Sequence, residues 1–307
     1  MIMESPLLDS RSGQHAPVVS AILVNYNAGQ ELRRALQSIA DEMADQPWEA
    51  VVVDNASSDG SADIALEFEP RVQIIRNEVN KGFACGVNQG VAATSAHHVL
   101  IMNPDCRLMA GAIAALYADL EEHPRCAIAG PKILNPDGSV QGSARGDPDM
   151  LTGVFGRTPV LGRVLRRLPL ARRNVVSDHV VRSGDAGADV DWVSGACLFA
   201  RREPLTEVGG FDERYFLYWE DADLCRRLRH AGYSVRYVTG AGAIHRVGQS
   251  SRTARARAIR AFHESAYLYY ATHVAHGRFH PKRALAWVLL AARRRWLLRK
   301  AALLGDS

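Results

Sequence analysis

Short, continuous apolar segments alternate with helix-like segments along the first hundred residues of this chain. The apolar segments read "VVSAILVN" (residues 18–25), "WEAVVVD" (48–54), "VQIIR" (72–76) and "HHVLIM" (97–102). Runs of this length without polar alternation are typical of strands buried on both faces. Between the first two, helical spacing is kept by Leu32, Ala35, Leu36 and Ile39. The pattern predicts an α/β fold in which a mostly parallel twisted sheet is covered by helices on both faces.

Local signals predict several boundaries within this fold. Asn27 is expected to cap the helix after the first strand, and a second helix is expected from about Ser61. Gly86 and Gly90 share one face of a third predicted helix, which favours close packing on the sheet. Neither a G-x-G-x-x-G nor a G-x-x-x-x-G-K-[ST] motif occurs, which excludes a dinucleotide fingerprint and a P-loop.

The second half of the chain alternates less regularly. Residues 188–203 are expected to form one strand, and residues 239–251 ("TGAGAIHRVGQSS") a glycine-rich loop. The segment "EDADLCRRLRHAG" (220–232) predicts a helix, because acids occupy its first turn and a glycine follows its end. Residues 142–190 are rich in Gly, Arg and Pro and predict a long irregular segment, which in a compact domain is usually functional or disordered.

Positive charge is concentrated at the C-terminal end of the chain. Residues 251–305 contain twelve Lys or Arg and one acid, so the rest of a chain with a net charge of +4 is negative. The segment 280–304 is amphipathic as a helix, with tryptophans at the border of its apolar face. This favours an anionic membrane surface as partner over a helix simply docked on the domain. A nucleic-acid partner is disfavoured because the body of the chain lacks a basic surface and any recognised module.

Neither end of the chain predicts a segment that enters a membrane. Residues 1–16 lack the basic and apolar regions of a signal peptide and are expected to be a flexible lead-in. The longest late apolar run, residues 284–292, falls short of the ~18–20 residues that a spanning helix needs. We therefore expect a protein that is soluble or lies on a membrane. The five cysteines form no Cys-x-x-Cys pair and are expected to be buried thiols of a reducing compartment.

Polar residues follow three of the predicted strands at the point where each strand ends. They are Asn25-Tyr26-Asn27, Asp54-Asn55 and Asn103-Pro104-Asp105. Open parallel sheets bind ligands beyond the carboxyl ends of their strands, so these groups are expected at one rim. Taken alone, Asp54 or Asp105 could equally be a helix N-cap. The placement of both at the ends of apolar strands favours a ligand site.

Five stretches, in order and spacing, resemble bacterial family 2 glycosyltransferases with the GT-A fold. They are "VVVDNASSDGS", "NKGFACGVNQG", "LIMNPDCRL", "SGACLFARREPLTEVGGFDERYFLYWEDADLCRRLRHAGY" and "AIHRVGQSS". Within that family the resemblance is strongest to rhamnosyltransferases of O-antigen and cell-wall glycan assembly. It implies a GT-A domain over residues 17–250, with 142–190 on its acceptor or membrane side, and a basic helical extension over 251–307.

The resemblance implies a nucleotide-sugar site at the predicted rim. Asp54 would accept a hydrogen bond from the N3–H of the nucleotide base. The same pocket would be lined by Asn25, Tyr26, Asn27, Asn55, Lys81 and Gly82. Asn103 and Asp105 lie where the family has its D-x-D motif, which holds Mg²⁺ or Mn²⁺ against the diphosphate. Because Asn103 replaces the first acid, Asp105 would be the main carboxylate on the metal, with His245 as a further ligand.

The resemblance also implies the catalytic and acceptor residues. Asp221, in the pair Glu220-Asp221, matches the catalytic base, although on their own both acids would be explained by the helix dipole. The acceptor wall would be formed by Ser194, Gly195, Ala196 and Trp219. Arg246 is an alternative partner for the phosphates. One carboxylate would activate the acceptor hydroxyl, while a divalent cation would stabilise the leaving diphosphate.

Together these expectations describe an inverting, metal-dependent glycosyltransferase. It would move a sugar, rhamnose from dTDP-rhamnose or another sugar from a dTDP or UDP donor, to a lipid-linked saccharide in cell-surface polysaccharide synthesis. It would act as a peripheral protein on the inner, cytoplasmic face of the membrane. The alternative is a catalytically inactive nucleotide-binding or membrane-associated regulatory protein on the same fold, which the presence of Asp105, Asp221 and His245 disfavours.

Overall fold

The computed structural model describes residues 17–148, 180–181, 184–246, 255–277 and 280–303. Its strands are β1 (Val19–Asn25), β2 (Trp48–Asp54), β3 (Val72–Arg76), β4 (His98–Met102), β5 (Cys106–Leu108), β6 (Cys126–Leu134), β7 (Ala144–Arg145), β8 (Gly187–Asp189), β9 (Trp192–Val193), β10 (Cys197–Arg201) and β11 (Ser234–His245). Its helices are α1 (Gln30–Glu42), α2 (Phe83–Ala92), α3 (Ala112–Glu122), α4 (Arg202–Glu207), α5 (Glu220–His230), α6 (Arg255–His273) and α7 (Pro281–Leu303), with a 3₁₀ helix over Ser61–Phe68.

A nine-stranded sheet forms the centre of the fold. Its order is β3-β2-β1-β4-β10-β6-β11-β5, and β8 pairs with β11. The block β3-β2-β1-β4 is parallel, as the apolar segments predicted. β10 runs antiparallel between β4 and β6, and β5 and β8 are antiparallel to β11, so the sheet as a whole is mixed. The predicted α/β class, with a central sheet and a helical C-terminal segment, is confirmed.

Helices cover both faces of this sheet. On one face, Leu36 of α1 and Leu116 of α3 pack in a core with Leu23 of β1. On the other face, Val87 of α2 and Leu228 of α5 belong to a second core. Every residue of β1 and β4 is buried, which explains why these segments are continuously apolar.

Two of the predicted elements were wrong in the second half of the chain. Residues 188–203 are divided among β8, β9 and β10 instead of forming one strand. Residues 239–245, predicted as a loop, continue β11. This strand pairs with β6 across a register shift between Val238 and Gly242, and its last three residues pair with β5. The glycines allow this shift, since irregular strand pairing favours residues without a side chain. Residues 247–251 of the predicted loop lie outside the described part of the chain.

Two boundaries in the first half also differ from prediction. Gly29, with φ 54°, is the N-cap of α1 in place of Asn27. The Asn27 side chain instead accepts a hydrogen bond at 2.8 Å from the backbone N–H of Ser58, which ties β1 to the turn after β2. The helix predicted from Ser61 is a 3₁₀ helix.

The glycines of α2 pack on the sheet as predicted. A Cβ atom on Gly86 would lie 2.9 Å from both methyl groups of Val24, and one on Gly90 would lie 2.5 Å from Cγ2 of Ile22. Both neighbours belong to β1 and are buried. The absence of a side chain at these positions lets the helix approach the strand closely.

The basic C-terminal segment forms α6 and α7, which pack against each other. Arg294 of α7 pairs with Glu264 of α6 at 3.0 Å, and the Arg293 guanidinium lies 5.7 Å from the ring of Phe262. Among the described residues, no helix is long and apolar enough to cross a bilayer. The lead-in 1–16 and most of the irregular segment 142–190, over 149–179, lie outside the described residues. The five cysteines are free thiols and four of them are buried.

We predict that Gly90→Val lowers the free energy of unfolding by about 1–3 kcal/mol, because its side chain must displace Ile22 in a closed core. Urea denaturation measures the change. Ile22→Ala should relieve the conflict, so the Gly90→Val effect should shrink in that background. Ala92→Val, at an exposed position of the same helix, is the control and should change stability by about 0.5 kcal/mol or less. Equal losses at both positions would contradict the packing argument.

Candidate active site

One cavity of about 610 Å³ opens at the carboxyl ends of the parallel strands. Many of the residues singled out from the sequence line it: Tyr26, Asn55, Gly82, Asn103, Asp105, Ser194, Gly195, Ala196, Trp219, Glu220, Asp221 and His245. The structure therefore brings the predicted donor, metal, acceptor and catalytic positions to a single cavity, as expected for an open α/β sheet.

A strand pairing joins Asp105 to His245. β5 runs antiparallel to β11 with Cys106 opposite His245, and the backbone N–H of Arg246 donates to the carbonyl of Asp105 at 3.0 Å. This pairing sets the Asp105 Oδ1 atom 3.2 Å from His245 Nε2. Both side chains are largely buried, so the pair is a fixed feature of the cavity wall.

Gln141 orients the imidazole of His245 and selects its tautomer. Its Nε2 donates at 2.8 Å to the carbonyl of His245 and to Oδ1 of Asn135, which orients the amide. The Oε1 atom then faces His245 Nδ1 at 3.1 Å and accepts a hydrogen bond from its N–H. In neutral histidine this leaves Nε2 as the unprotonated nitrogen, which is the form that binds metals.

This arrangement fits a divalent cation. An unprotonated Nε2 and a carboxylate oxygen 3.2 Å apart are two electron-pair donors facing each other, and they need either a second proton on the ring or a cation. Among the described residues there is no group of three or more His, Cys, Asp and Glu that would hold a metal by itself. A Mg²⁺ or Mn²⁺ ion held here by Asp105 and His245 would complete its shell with substrate phosphates and water.

The first turn of α5 carries the acidic pair. The Asp221 Oδ2 atom accepts a hydrogen bond at 2.9 Å from the N–H of Gly195, in the turn between β9 and β10, and Oδ1 accepts at 2.8 Å from the N–H of Ala222. Glu220 is buried beside it. Hydrogen bonds from N–H groups favour the charged form of a carboxylate, and this form is the one a general base requires.

The backbone before α5 is strained. Tyr218 and Trp219 have φ angles of 70° and 72°, a left-handed backbone conformation that residues other than glycine seldom adopt. Both rings pack on Phe262 of α6, at centroid distances of 5.9 and 5.8 Å. Strain of this kind is retained where surrounding contacts hold it, and here it places Trp219 and the acidic pair on the cavity wall.

The predicted nucleoside residues divide into two layers. Asn55 lines the cavity, and its Nδ2 donates at 3.0 Å to the carbonyl of Gly82. Asn25 and Asp54 lie behind this wall, fully or almost fully buried, with Asn25 Nδ2 donating to Asp54 Oδ1 at 2.8 Å. They do not line the cavity, and neither do Asn27 and the exposed Lys81, so their contact with the base remains a prediction.

Gly82 is required by the close approach of another loop. Its φ angle is 91°, and an added Cβ would lie 2.5 Å from the carbonyl oxygen of Phe216. That carbonyl accepts a hydrogen bond at 2.8 Å from the N–H of Phe83, which ties the start of α2 to the loop before α5. The predicted donor side of the cavity is thus linked directly to the loop that leads into the predicted acceptor side.

Sequence reasoning missed part of the wall. Arg145, Trp192, Arg257 and Phe262 also line the cavity. The basic, tryptophan-containing tail predicts a membrane-facing helix and gives no sign of a place in the cavity wall. No local pattern brings residue 262 close to residue 219. Arg246, the alternative phosphate partner, has its guanidinium 3.5 Å from the Glu31 carboxylate and does not line the cavity.

We predict that Gln141→Ala weakens Mn²⁺ binding about 10- to 100-fold, because the ring of His245 loses the group that selects its tautomer and orientation. Calorimetry with MnCl₂ in the presence of dTDP or UDP measures this. Gln37→Ala, at an exposed position of α1 that bonds only within its helix, is the control. An unchanged Mn²⁺ affinity in Gln141→Ala would contradict the role assigned to Gln141 in orienting His245 for the cation.

Comparison with known proteins places this fold and cavity among known families. The "Glycosyl transferase family 2" profile matches residues 20–156, and the "Glycosyl transferase family group 2" profile matches residues 160–303. The chain is 34% identical over 265 residues to an N-acetylglucosaminyl-diphospho-decaprenol L-rhamnosyltransferase of Mycobacterium tuberculosis, covering 83% of this chain and 84% of that protein. It is 33% identical over 107 residues to rhamnosyltransferase WbbL of Escherichia coli (strain K12), covering 35% of this chain and 37% of that protein.

Solved structures share the fold at low sequence identity. A mannosyltransferase of Pyrobaculum calidifontis, in complex with GDP-Man and Mn²⁺, superposes with a TM-score of 0.56 at 19% identity, covering 94% of this chain and 74% of that one. GalNAc-T7 with UDP, GalNAc and Mn²⁺ gives a TM-score of 0.56 at 17% identity, covering 83% of this chain and 50% of that one.

Proposed function

The chain belongs to glycosyltransferase family 2, and from that membership we propose that it is an inverting, metal-dependent rhamnosyltransferase. The donor is dTDP-rhamnose, and the acceptor is a hydroxyl of a lipid-linked saccharide in cell-surface polysaccharide synthesis. The observation that carries the proposal is the shared cavity. It holds the Asp105–His245 pair and, across the turn at Gly195, the carboxylate of Asp221.

Asp221 is the general base in this proposal. The acceptor oxygen forms a bond to the anomeric carbon while the bond from that carbon to the donor diphosphate breaks, and the acceptor proton passes to the Asp221 carboxylate. A single displacement of this kind inverts the configuration at that carbon. The hydrogen bonds from Gly195 and Ala222 hold the carboxylate in position, so it is oriented before the acceptor arrives.

Asp105 and His245 would hold a divalent cation beside the donor diphosphate. A bound Mg²⁺ or Mn²⁺ supplies Lewis-acid stabilisation of the charge that develops on the leaving diphosphate. With Asn103 in place of an acid, the protein offers one carboxylate and one imidazole, and the imidazole favours Mn²⁺ more than an all-oxygen site would. Tyr26, Asn55 and Gly82 form the nucleoside side of the same cavity.

The nature of the acceptor is argued from the relatives. The mycobacterial relative is named for a diphospho-decaprenol acceptor that carries N-acetylglucosamine, and the alignment covers most of both chains. Ser194, Ala196 and Trp219 line the cavity beside Asp221, where an acceptor sugar would lie. Because nucleotide sugars are cytoplasmic and the acceptor is lipid-linked in this proposal, we propose that the enzyme acts at the inner face of the cell membrane.

Transfer assays on the full chain test the proposal. We expect turnover with dTDP-rhamnose and a short-prenyl diphosphate N-acetylglucosamine when Mg²⁺ or Mn²⁺ is present, and loss of turnover with EDTA. Other dTDP-sugars and UDP-sugars serve as competing donors. Absence of transfer from every donor, with nucleotide binding retained, would instead support an inactive nucleotide-binding protein.

We predict that Asp221→Asn lowers kcat about 10²- to 10⁴-fold, because an amide cannot take up the acceptor proton. The donor KM and the thermal shift by nucleotide should stay close to the parent values, since Asp221 does not hold the nucleotide. Asp63→Asn, which removes an exposed carboxylate paired with Arg76, is the matched control. Retained turnover in Asp221→Asn would assign the base elsewhere, with Glu220 as the next candidate.

The outward face of α7 is the proposed contact with the membrane. Ala286, Leu290 and Ala301 of α7 are buried toward the protein. Around the rest of its circumference α7 exposes large apolar residues: Leu285, Trp287, Val288, Leu289 and Trp296. Lys300 Nζ lies 5.6 Å from the ring of Trp296, so positive charge borders the apolar face. An anionic bilayer offers both an apolar layer and negative headgroups, and it is the partner we propose for this face.

We predict that Leu289→Gln with Trp296→Gln weakens binding to phosphatidylglycerol vesicles at least about 10-fold, since each side chain loses apolar burial in the lipid. Vesicle co-sedimentation measures it, and the melting temperature should hold because both residues are exposed. Leu66→Gln, an exposed leucine of the 3₁₀ helix, is the control. Equal binding of the double variant and the parent would exclude α7 as the membrane contact.

A further inference from the structure

Two arginines of the cavity have no part in the donor site or the base described above. They are Arg145 of β7 and Arg257 of α6. Among the described residues of the cavity wall, they are the only Lys or Arg side chains. Guanidinium groups at a wall of this kind typically recognise carboxylate or phosphate.

Arg145 is oriented by its surroundings. Its Nε donates at 2.7 Å to the carbonyl of Gly142, and its guanidinium lies 5.4 Å from the ring of Trp192. The residues Arg145 and Trp192 are also direct partners in the β7–β9 pair. A guanidinium held in this way loses little conformational freedom when it binds an anion.

Arg257 is exposed at the cavity wall, one and a half turns before Phe262 on α6. The described part of the chain offers it no hydrogen-bond or ion-pair partner. Its charge is therefore available to a ligand, and its position on a packed helix fixes the place of that charge.

Aromatic neighbours place both arginines on the acceptor side of the cavity. Trp192, whose ring contacts the Arg145 guanidinium, comes two residues before Ser194 of the proposed acceptor wall. Phe262, on the helix of Arg257, packs on Trp219, which directly precedes the acidic pair. The donor diphosphate belongs with Asp105 and His245, on β11 and at the start of β5.

We propose that Arg145 and Arg257 bind the diphosphate of a lipid-diphosphate-linked saccharide acceptor, an inference that rests on the proposed function. A diphosphate bridging a sugar and a lipid carries one negative charge on each phosphate, and two guanidinium groups match it in number. Arginine binds such oxygens through paired N–H donors. The helix that carries Arg257 also packs on α7, so the same helix pair supplies the diphosphate contact and the lipid-facing surface.

Acceptors with and without a diphosphate test this site in the full-length protein. One acceptor is N-acetylglucosamine on a short-prenyl diphosphate, and the other is an alkyl N-acetylglucosaminide without phosphate. Arg145→Gln and Arg257→Gln should each raise KM for the diphosphate acceptor about 10-fold or more, as expected for the loss of a charge-assisted contact. The KM values for the donor and for the alkyl glycoside should change less than about twofold.

Three further variants and a binding measurement complete the test. Arg145→Lys and Arg257→Lys should restore part of the affinity, and Arg260→Gln, on the same helix but away from the cavity wall, should change nothing. A rise in donor KM would assign the arginines to the donor diphosphate, and equal losses with both acceptors would assign them to the shape of the wall. Either result overturns the inference.

Calorimetric binding of the short-prenyl diphosphate acceptor, without donor, separates this inference from the proposed function. If the parent protein binds that acceptor in an Arg257-dependent way but transfers nothing to it, the diphosphate site stands and the proposed reaction fails. If the parent transfers sugar while Arg257→Gln and Arg145→Gln bind the acceptor as tightly as the parent, the reaction stands and the diphosphate site fails.

Discussion

The antiparallel pairing of β5 with β11 is the interaction on which the cavity depends. It sets Cys106 opposite His245 and so brings Asp105, one residue earlier, to 3.2 Å from the imidazole. Because side chains alternate along a strand, a slip of one residue would turn His245 to the other face and separate the pair. The register shift of β11 between Val238 and Gly242 lets the same strand follow β6 in parallel and then meet β5.

A second set of contacts joins the C-terminal helices to α5, which carries the proposed catalytic pair. Phe262 of α6 packs on Tyr218 and Trp219, and His273 Nε2 lies 2.6 Å from Oδ1 of the buried Asp223 of α5. These contacts hold the strained backbone at Tyr218 and Trp219, which directly precedes Glu220 and Asp221 in the chain. The boundary expected between residues 250 and 251 therefore separates residues that line one cavity, and the geometry of the acidic pair depends on the helices beyond it.

Local patterns were sufficient for the parallel half of the fold, whereas most of the cavity was predicted from the family resemblance. Apolar runs identified β1 to β4, and the glycine spacing of α2 identified its packing face, because both follow from periodicity along one segment. The three-residue strand β5 is too short to show a periodic pattern. The glycine-rich end of β11 has a sequence typical of a loop. Asn27 is not the N-cap of α1 because its side-chain oxygen accepts a hydrogen bond from the backbone N–H of Ser58. The two residues are 31 positions apart, so no local rule predicts this contact. Arg145 and Arg257 were missed for the same reason, since only the tertiary fold brings β7 and α6 to one wall.

The neutral residue at position 103 is consistent with the charges of the whole cavity. Asp105, Glu220 and Asp221 already place three acids on its wall, against Arg145 and Arg257. A donor and a lipid-diphosphate acceptor would together bring two diphosphates into about 610 Å³, where low polarity strengthens repulsion between like charges. A further aspartate at position 103 would add to that repulsion, whereas the neutral Asn103 does not, and the backbone hydrogen bond from its N–H to the carbonyl of Ala196 at 2.9 Å holds the turn with either residue. In the proposed arrangement, fewer acids on the donor side and two arginines on the acceptor side would be complementary ways of admitting two anionic substrates at once.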